Sequence, residues 1–140
     1  MKQQNYKNHT QIVYGYYLFT GVPILVLIGI AISKIFNEED KSFGIILLLI
    51  GWILLTMLFR SRGFALKAQD RAIRAEENLR HFMLTGKAMD AKITLSQIIA
   101  LRFASDEELP SLAQRAATES LSNKEIKLAI KKWRSDWHRV

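Results

Sequence analysis

The stretch "FGIILLLIGWILLTMLFRSRGFALKAQDRAIRAEENLRHF", Phe43–Phe82, changes character at Arg60. From Phe43 to Phe59 it carries no charge, and from Arg60 onward charged residues recur throughout. No glycine or proline interrupts the chain between Phe64 and Thr85, and Gly86 reads as a terminator. The stretch therefore predicts one long helix with Gly63 as its only hinge. Its first part is apolar enough for a bilayer, and its second part is amphipathic.

A second uncharged stretch precedes it. Residues 8–33 and 42–59 carry no formal charge, and the remaining segments hold every Lys, Arg, Asp and Glu. A globular core mixes polar and apolar residues at the helix or strand period, whereas a membrane span suspends polarity for about 20 residues. The spans are placed at about 12–33 and 43–59. The first reads as a retained anchor and not a cleaved signal, because its apolar stretch is long and a second span follows. The turn 34–41, "KIFNEEDK", is short, so the spans should be antiparallel neighbours. Lys2, Lys7, Arg60, Arg62, Lys67, Arg71 and Arg74 flank the outer ends of the pair, which predicts that both termini are cytoplasmic. Tyr14, Tyr16 and Tyr17 are placed at headgroup level. Pro23 should bend the first span, and Trp52, in mid-span, fills a gap or faces lipid.

Beyond the second span, Ala65, Ala68, Ala72, Ala75, Leu79 and Phe82 recur at alternating spacings of three and four. This heptad seam is small at its start and large at its end. It needs something to pack on: the protein's own C-terminal helices, a second copy, or a partner's helix. Asp70–Arg74, Glu76–Arg80 and Glu77–His81 stand at i,i+4 with the acid first, the favourable order.

After Gly86 the pattern shortens. "TLSQ" (Thr94–Gln97), "SDEE" (Ser105–Glu108) and "SNKE" (Ser122–Glu125) each match a capping box and predict three helix starts. Leu109, Leu112, Ala113, Ala116 and Ala117 share one face of the second helix. In the third, Ile126, Ile130, Trp133 and Trp137 form a stripe opposite Lys124, Lys127, Lys131, Arg134 and His138. The basic stripe is read as a solvated face, an anionic-lipid or acidic-partner surface, or a nucleic-acid contact. The distal part of the long helix, through Leu79, Phe82 and Met83, should close this small bundle.

The fold class is thus all-α: an antiparallel two-helix transmembrane hairpin, a long cytoplasmic helix continuing the second span, and a bundle of three short helices. The segments are 1–11 (cytoplasmic N-terminal segment), 12–59 (hairpin), 60–86 (helical extension) and 87–140 (helical cap). The chain has no cysteine, which removes disulfide and thiolate chemistry. No phosphate loop, H-E-x-x-H or G-x-S-x-G element occurs. Glu77 and His81 could share a metal but read more simply as an ion pair. Neither span carries an ionisable residue for a proton relay. No enzyme, cofactor, metal or small-molecule substrate is assigned.

The stretches "QNYKNH" (4–9), "ALKAQDRAIRAEENLRHF" (65–82), "ITLSQIIALRFASDEELP" (93–110) and "IKKWRSDWHRV" (130–140) together resemble a family of short bacterial two-span membrane proteins of unknown function. The resemblance implies two spans and a cytoplasmic helical region, and supplies no activity. The expectation is a non-enzymatic scaffold or accessory subunit of the bacterial inner membrane. It would act by helix-mediated oligomerisation or by docking on a larger membrane complex. The alternatives are a small oligomeric channel and a membrane-tethered nucleic-acid binder. The lipid bilayer and either a second copy or subunits of a membrane complex are the expected partners, ahead of nucleic acid.

Overall fold

The computed structural model describes residues 4–10 and 13–136, and all of its regular elements are helices. Lys2, Ile12, Trp137 and His138, which the sequence reading used, lie outside the described residues. We number the helices α1 (Tyr14–Asn37), α2 (Ser42–Thr85), α3 (Leu95–Leu101), α4 (Leu109–Thr118) and α5 (Asn123–Ala129). The chain divides into two compact units, residues 12–66 and residues 1–11 with 67–140.

In the first unit, α1 contains a π-helical turn, Tyr17–Gly21, immediately ahead of Pro23. Proline offers no N–H to the preceding turn, and a π turn absorbs that mismatch by shifting the bonding register. The hydroxyl of Thr20 donates back to Tyr16 O. Thr56 Oγ1 donates likewise to Trp52 O at 2.9 Å. Both hydroxyls are thereby satisfied within their own helix, as an apolar setting requires.

α1 meets α2 along residues that recur every seven positions. A Cβ built on Gly21 would touch Leu58, one on Gly51 would lie 2.7 Å from Ile28 Cγ1, and one on Gly44 2.7 Å from Ile35 Cγ1. The partners run in opposite order along the two helices. Gly44 is the tightest point: its added Cβ would also come within 3.0 Å of backbone Ala31 O and Ile35 N, and Ala31 is wholly buried. Tyr16 Oη donates to Leu58 O at 2.7 Å and lies 2.9 Å from Ser61 Oγ. The Arg62 guanidinium sits over the Tyr17 ring. Tyr14, at 74% exposure, and Trp52, at 68%, point outward. The connection is closed by Asp40, which accepts from Ser42 N at 2.9 Å. Bonds from the Ser42 side chain and backbone hold that carboxyl below the ordinary aspartate value.

α2 is helical through Gly63 and ends at Thr85. Gly86 follows at φ +70° and donates to Phe82 O at 2.7 Å, a left-handed helix stop.

The second unit is built around α3. Ala100, Leu101, Phe103, Ala104, Leu109 and Ile126 are wholly buried. Two of the three capping boxes form as the sequence indicates, on Thr94–Gln97 and Ser122–Glu125. Gln97 does more than cap. Its Oε1 accepts from Thr94 N, while its Nε2 donates to Ala116 O at 3.3 Å and Leu121 O at 2.8 Å, tying α3 to the end of α4.

The third box does not form. α4 begins only at Leu109, and Ser105 Oγ is buried with no hydrogen-bond partner among the described residues. The Glu108 carboxylate is engaged elsewhere: it accepts from Lys131 N at 3.3 Å and Lys132 N at 3.2 Å. The last helix is likewise shorter than the Ile126–Trp137 stripe implies. It stops at Ala129, and Ile130 is extended. The chain then pairs with the segment after α3: Ser105 N donates to Lys132 O at 3.1 Å and Arg134 N to Phe103 O at 2.8 Å.

The face of α2 that joins this unit also differs from the sequence reading. Leu79, Phe82 and Met83 are 60%, 53% and 76% exposed and do not close the bundle. Ile73, at 7%, and Glu77, at 5%, are the buried residues there. The segment 1–11, set apart in the sequence reading, belongs to the same unit.

The glycine contacts yield a ranked expectation. Gly44→Ala meets backbone atoms and should destabilise the full-length protein in detergent by about 1–3 kcal/mol. Gly51→Ala meets only the Ile28 side chain and should cost less. Gly29→Ala and Gly63→Ala, with nothing within 4 Å, should be neutral or mildly stabilising through helix propensity. Thermal unfolding followed by helical circular dichroism checks the order; equal behaviour of all four variants would refute the close packing.

Candidate functional site

Three features of the 1–11/67–140 unit concentrate unusual chemistry. The first is a buried charge network. Glu77 lies on α2 and receives Arg80 Nη1 at 2.8 Å and Arg134 Nη1 at 3.4 Å. Arg80 also donates from Nη2 to Ala104 O at 2.8 Å and pairs with Asp106 at 2.6 Å. A carboxylate withdrawn from water costs several kcal/mol unless paired and hydrogen-bonded. Here two guanidinium groups meet that requirement, one from the next turn of α2 and one from the C-terminal segment. This pairing displaces the i,i+4 ones: Arg80 bonds Glu77 and Asp106, not Glu76, and His81 Nδ1 faces Lys87 O at 3.1 Å, not Glu77.

The second feature ties the chain ends together. Asp136 N donates to Gln4 Oε1 at 2.8 Å, and Gln4 Nε2 returns a bond to Asp136 O at 3.4 Å. The Asp136 carboxylate pairs with the buried Arg102, whose guanidinium stands 4.5 Å from the Phe103 ring centre. His9 stacks on Tyr6 and packs against Phe103 and Trp133. Its Nδ1 lies 2.7 Å from Tyr6 O and its Nε2 3.1 Å from Lys127 Nζ. A carbonyl only accepts and an ammonium only donates. These two contacts match Nδ1 as the donor and Nε2 as the acceptor. Sequence reasoning missed Gln4, His9 and Arg102, since pairing between distant segments leaves no periodic signal.

A cleft of about 370 Å³ lies beside these groups, lined in part by Gln69, Glu76, Glu77, Arg102, Arg134 and Asp136. Of its charges, Glu77 and Arg134 are paired, as are Arg102 and Asp136. Among the described residues, no three His, Asp or Glu side chains are grouped to hold a metal.

The third feature is the seam. Ala65, half-buried, belongs to the 12–66 unit; in this unit Ala68, Ala72, Ala75, Leu79 and Phe82 are exposed. The proposed basic stripe is not one helical face. Lys124 is exposed on α5, and Lys127 on the same helix turns toward His9. Lys131 and Arg134 lie past the helix end, and Arg134 engages Glu77. Trp133, half-buried, packs on Phe103 with ring centres 5.1 Å apart.

These geometries stand beside one match to a family. The chain belongs to DUF6526, a family of unknown function, whose family model covers residues 1–140. No curated protein and no solved structure matches it. The family match thus takes in the two apolar helices and the clasped unit alike.

The charge network can be tested by removing its centre. Glu77→Ala leaves Arg80 and Arg134 without their shared partner and should destabilise the unit by about 3 kcal/mol. Breaking the exposed Lys132–Glu107 pair, with 67% and 74% of its side chains exposed, should cost less than about 1 kcal/mol. Denaturant unfolding of the full-length variants checks the contrast. An equal cost for both would refute the central place of Glu77.

Proposed function

We propose that this protein is a non-enzymatic scaffold or accessory subunit of the bacterial inner membrane. In this reading α1 and the first part of α2 form an antiparallel transmembrane hairpin with both termini cytoplasmic. The cytoplasmic unit then docks through the exposed seam of α2.

The observation that carries this reading is the exposure of the seam. Leu79, Phe82 and Met83 stay more than half exposed on a helix whose Ile73 and Glu77 are buried. Contiguous apolar surface of this kind marks an interaction site more often than chance. Membrane insertion draws support from the other unit. The most apolar windows of α1 and α2 are only 11% and 17% buried within the protein, so their side chains need lipid or another chain. The flanking charge supports the orientation. The channel alternative needs a polar lining, and the hydroxyls of Thr20 and Thr56 turn back onto their own helices. The nucleic-acid alternative needs a coherent basic face, and Lys127 and Arg134 are drawn into internal contacts.

Two measurements test the proposal. A reporter fused after Val140 should be active only on the cytoplasmic side, and one inserted between Asn37 and Ser42 only outside; the opposite pattern overturns the orientation. Gentle extraction should yield a native mass above that of one chain. Leu79→Glu combined with Phe82→Glu should reduce it to the monomer while shifting unfolding by less than about 1 kcal/mol, because both side chains are exposed. A wild-type monomer without co-purifying subunits would overturn the docking role.

A further inference from the structure

We propose that the occupant of the α2 seam is a second copy of this chain, packed parallel and in register. This rests on the membrane and docking reading above and names its partner.

The argument begins with which face is taken. With the seam as heptad positions a and d, Ala68, Ala75 and Phe82 are d and Ala72 and Leu79 are a. Ile73 and Arg80 then fall at b and Glu77 at f, on the side of the helix away from a and d. Those are the residues the unit itself uses: Ile73 joins the core, Glu77 is buried, and Arg80 reaches Ala104 O. The cap's buried contacts with α2 therefore lie on the face away from the seam, and it approaches Ala72 and Glu76 only across the open cleft. A second helix can lie along a and d without displacing any of these contacts.

The flanking charges then select the partner. Arg71 is at g and Glu76 at e, and both are exposed. In a parallel in-register pair, a g residue faces the e residue five positions on in its partner. Arg71 of each copy would face the Glu76 of the other, so the two-fold symmetry makes two opposite-charge pairs from one sequence. Direction follows from the shared bilayer: two copies inserted alike present α2 in the same sense. The alanines alone would make a weak contact. Leu79, Phe82 and Met83 supply the larger apolar area at one end, and the charges fix register.

The chain lacks cysteine, so single-cysteine variants report directly. In native membranes, Ala72→Cys and Ala75→Cys should form same-residue disulfides under mild oxidation, and Arg74→Cys, at an outward c position, should not. Arg71→Glu or Glu76→Arg alone replaces two attractive pairs with two repulsive ones and should weaken self-association about tenfold. The double variant should restore it, as should mixing the two single variants. Thermal unfolding of each variant identifies any that merely fails to fold, and the cysteine series stands independently of them. Cross-linking at positions 72 and 75 with charge rescue supports the parallel pair. A native mass above one chain without same-residue cross-links overturns it while leaving docking on another protein intact. A monomer that neither cross-links nor co-purifies overturns both readings.

Discussion

A carboxylate removed from water must be paired, and Glu77 sets the arrangement of the charged unit through that requirement. Its two guanidinium partners come from one turn further along α2 and from the extended C-terminal segment. Arg134 can reach it only because α5 stops at Ala129 and the chain turns to pair with Phe103 and Ser105. That pairing places Trp133 on the Phe103 ring, and the same ring meets His9 from the other end of the sequence. Asp136 then joins Gln4 to Arg102. Hydrophobic burial supplies the core, but these ionic and hydrogen-bonded contacts choose which face of α2 that core takes.

The apolar unit follows a different rule. Its side chains cannot find cover in their own helix pair, so the contact between α1 and α2 is made by backbone proximity. Gly44 and Gly51 lie under Ile35 and Ile28, and Ala31 is enclosed. Close approach of this kind is how helices associate where apolar burial gives no preference for neighbours over lipid. Three polar side chains at this contact are satisfied locally: Thr20 and Thr56 by their own helix carbonyls, Tyr16 by Leu58 O and Ser61. Such local satisfaction of Tyr16, Thr20 and Thr56 is what an apolar setting asks of a helix pair.

The elements legible in the sequence were those with a local cause. The uninterrupted α2, its stop at Gly86, and the boxes at Thr94 and Ser122 depend on residues within one turn of each other. The failures share the opposite character. The Ser105 box matched the pattern, yet its Glu108 was taken by the backbone of Lys131 and Lys132. The stripe from Ile126 to Trp137 had helical period, yet the bridge to Ala104 stopped the helix. The alanine seam was found, but not its exposure, since periodicity cannot reveal that a charged residue has captured the opposite face. In the candidate site, Gln4, His9 and Arg102 had no pattern to find, because each acts through a residue far away in the chain.

The two faces of α2 have a consequence for assembly. If the seam were part of the unit's own core, folding and association would be one equilibrium, and a change in one would report on the other. Here the core closes on Ile73 and Glu77 and leaves Leu79 and Phe82 outside. The seam alanines are small, so they contribute little area but permit near approach, while the larger side chains lie at one end of the contact. A helix contact of this composition is marginal in dilute solution. In the proposed pair, confinement of both copies to one bilayer would raise their effective concentration and hold α2 in a single direction, the condition under which a short seam suffices. In the proposed pair the apolar helices and the exposed seam would be parts of one device: the bilayer would supply the concentration, and the charges at Arg71 and Glu76 the register.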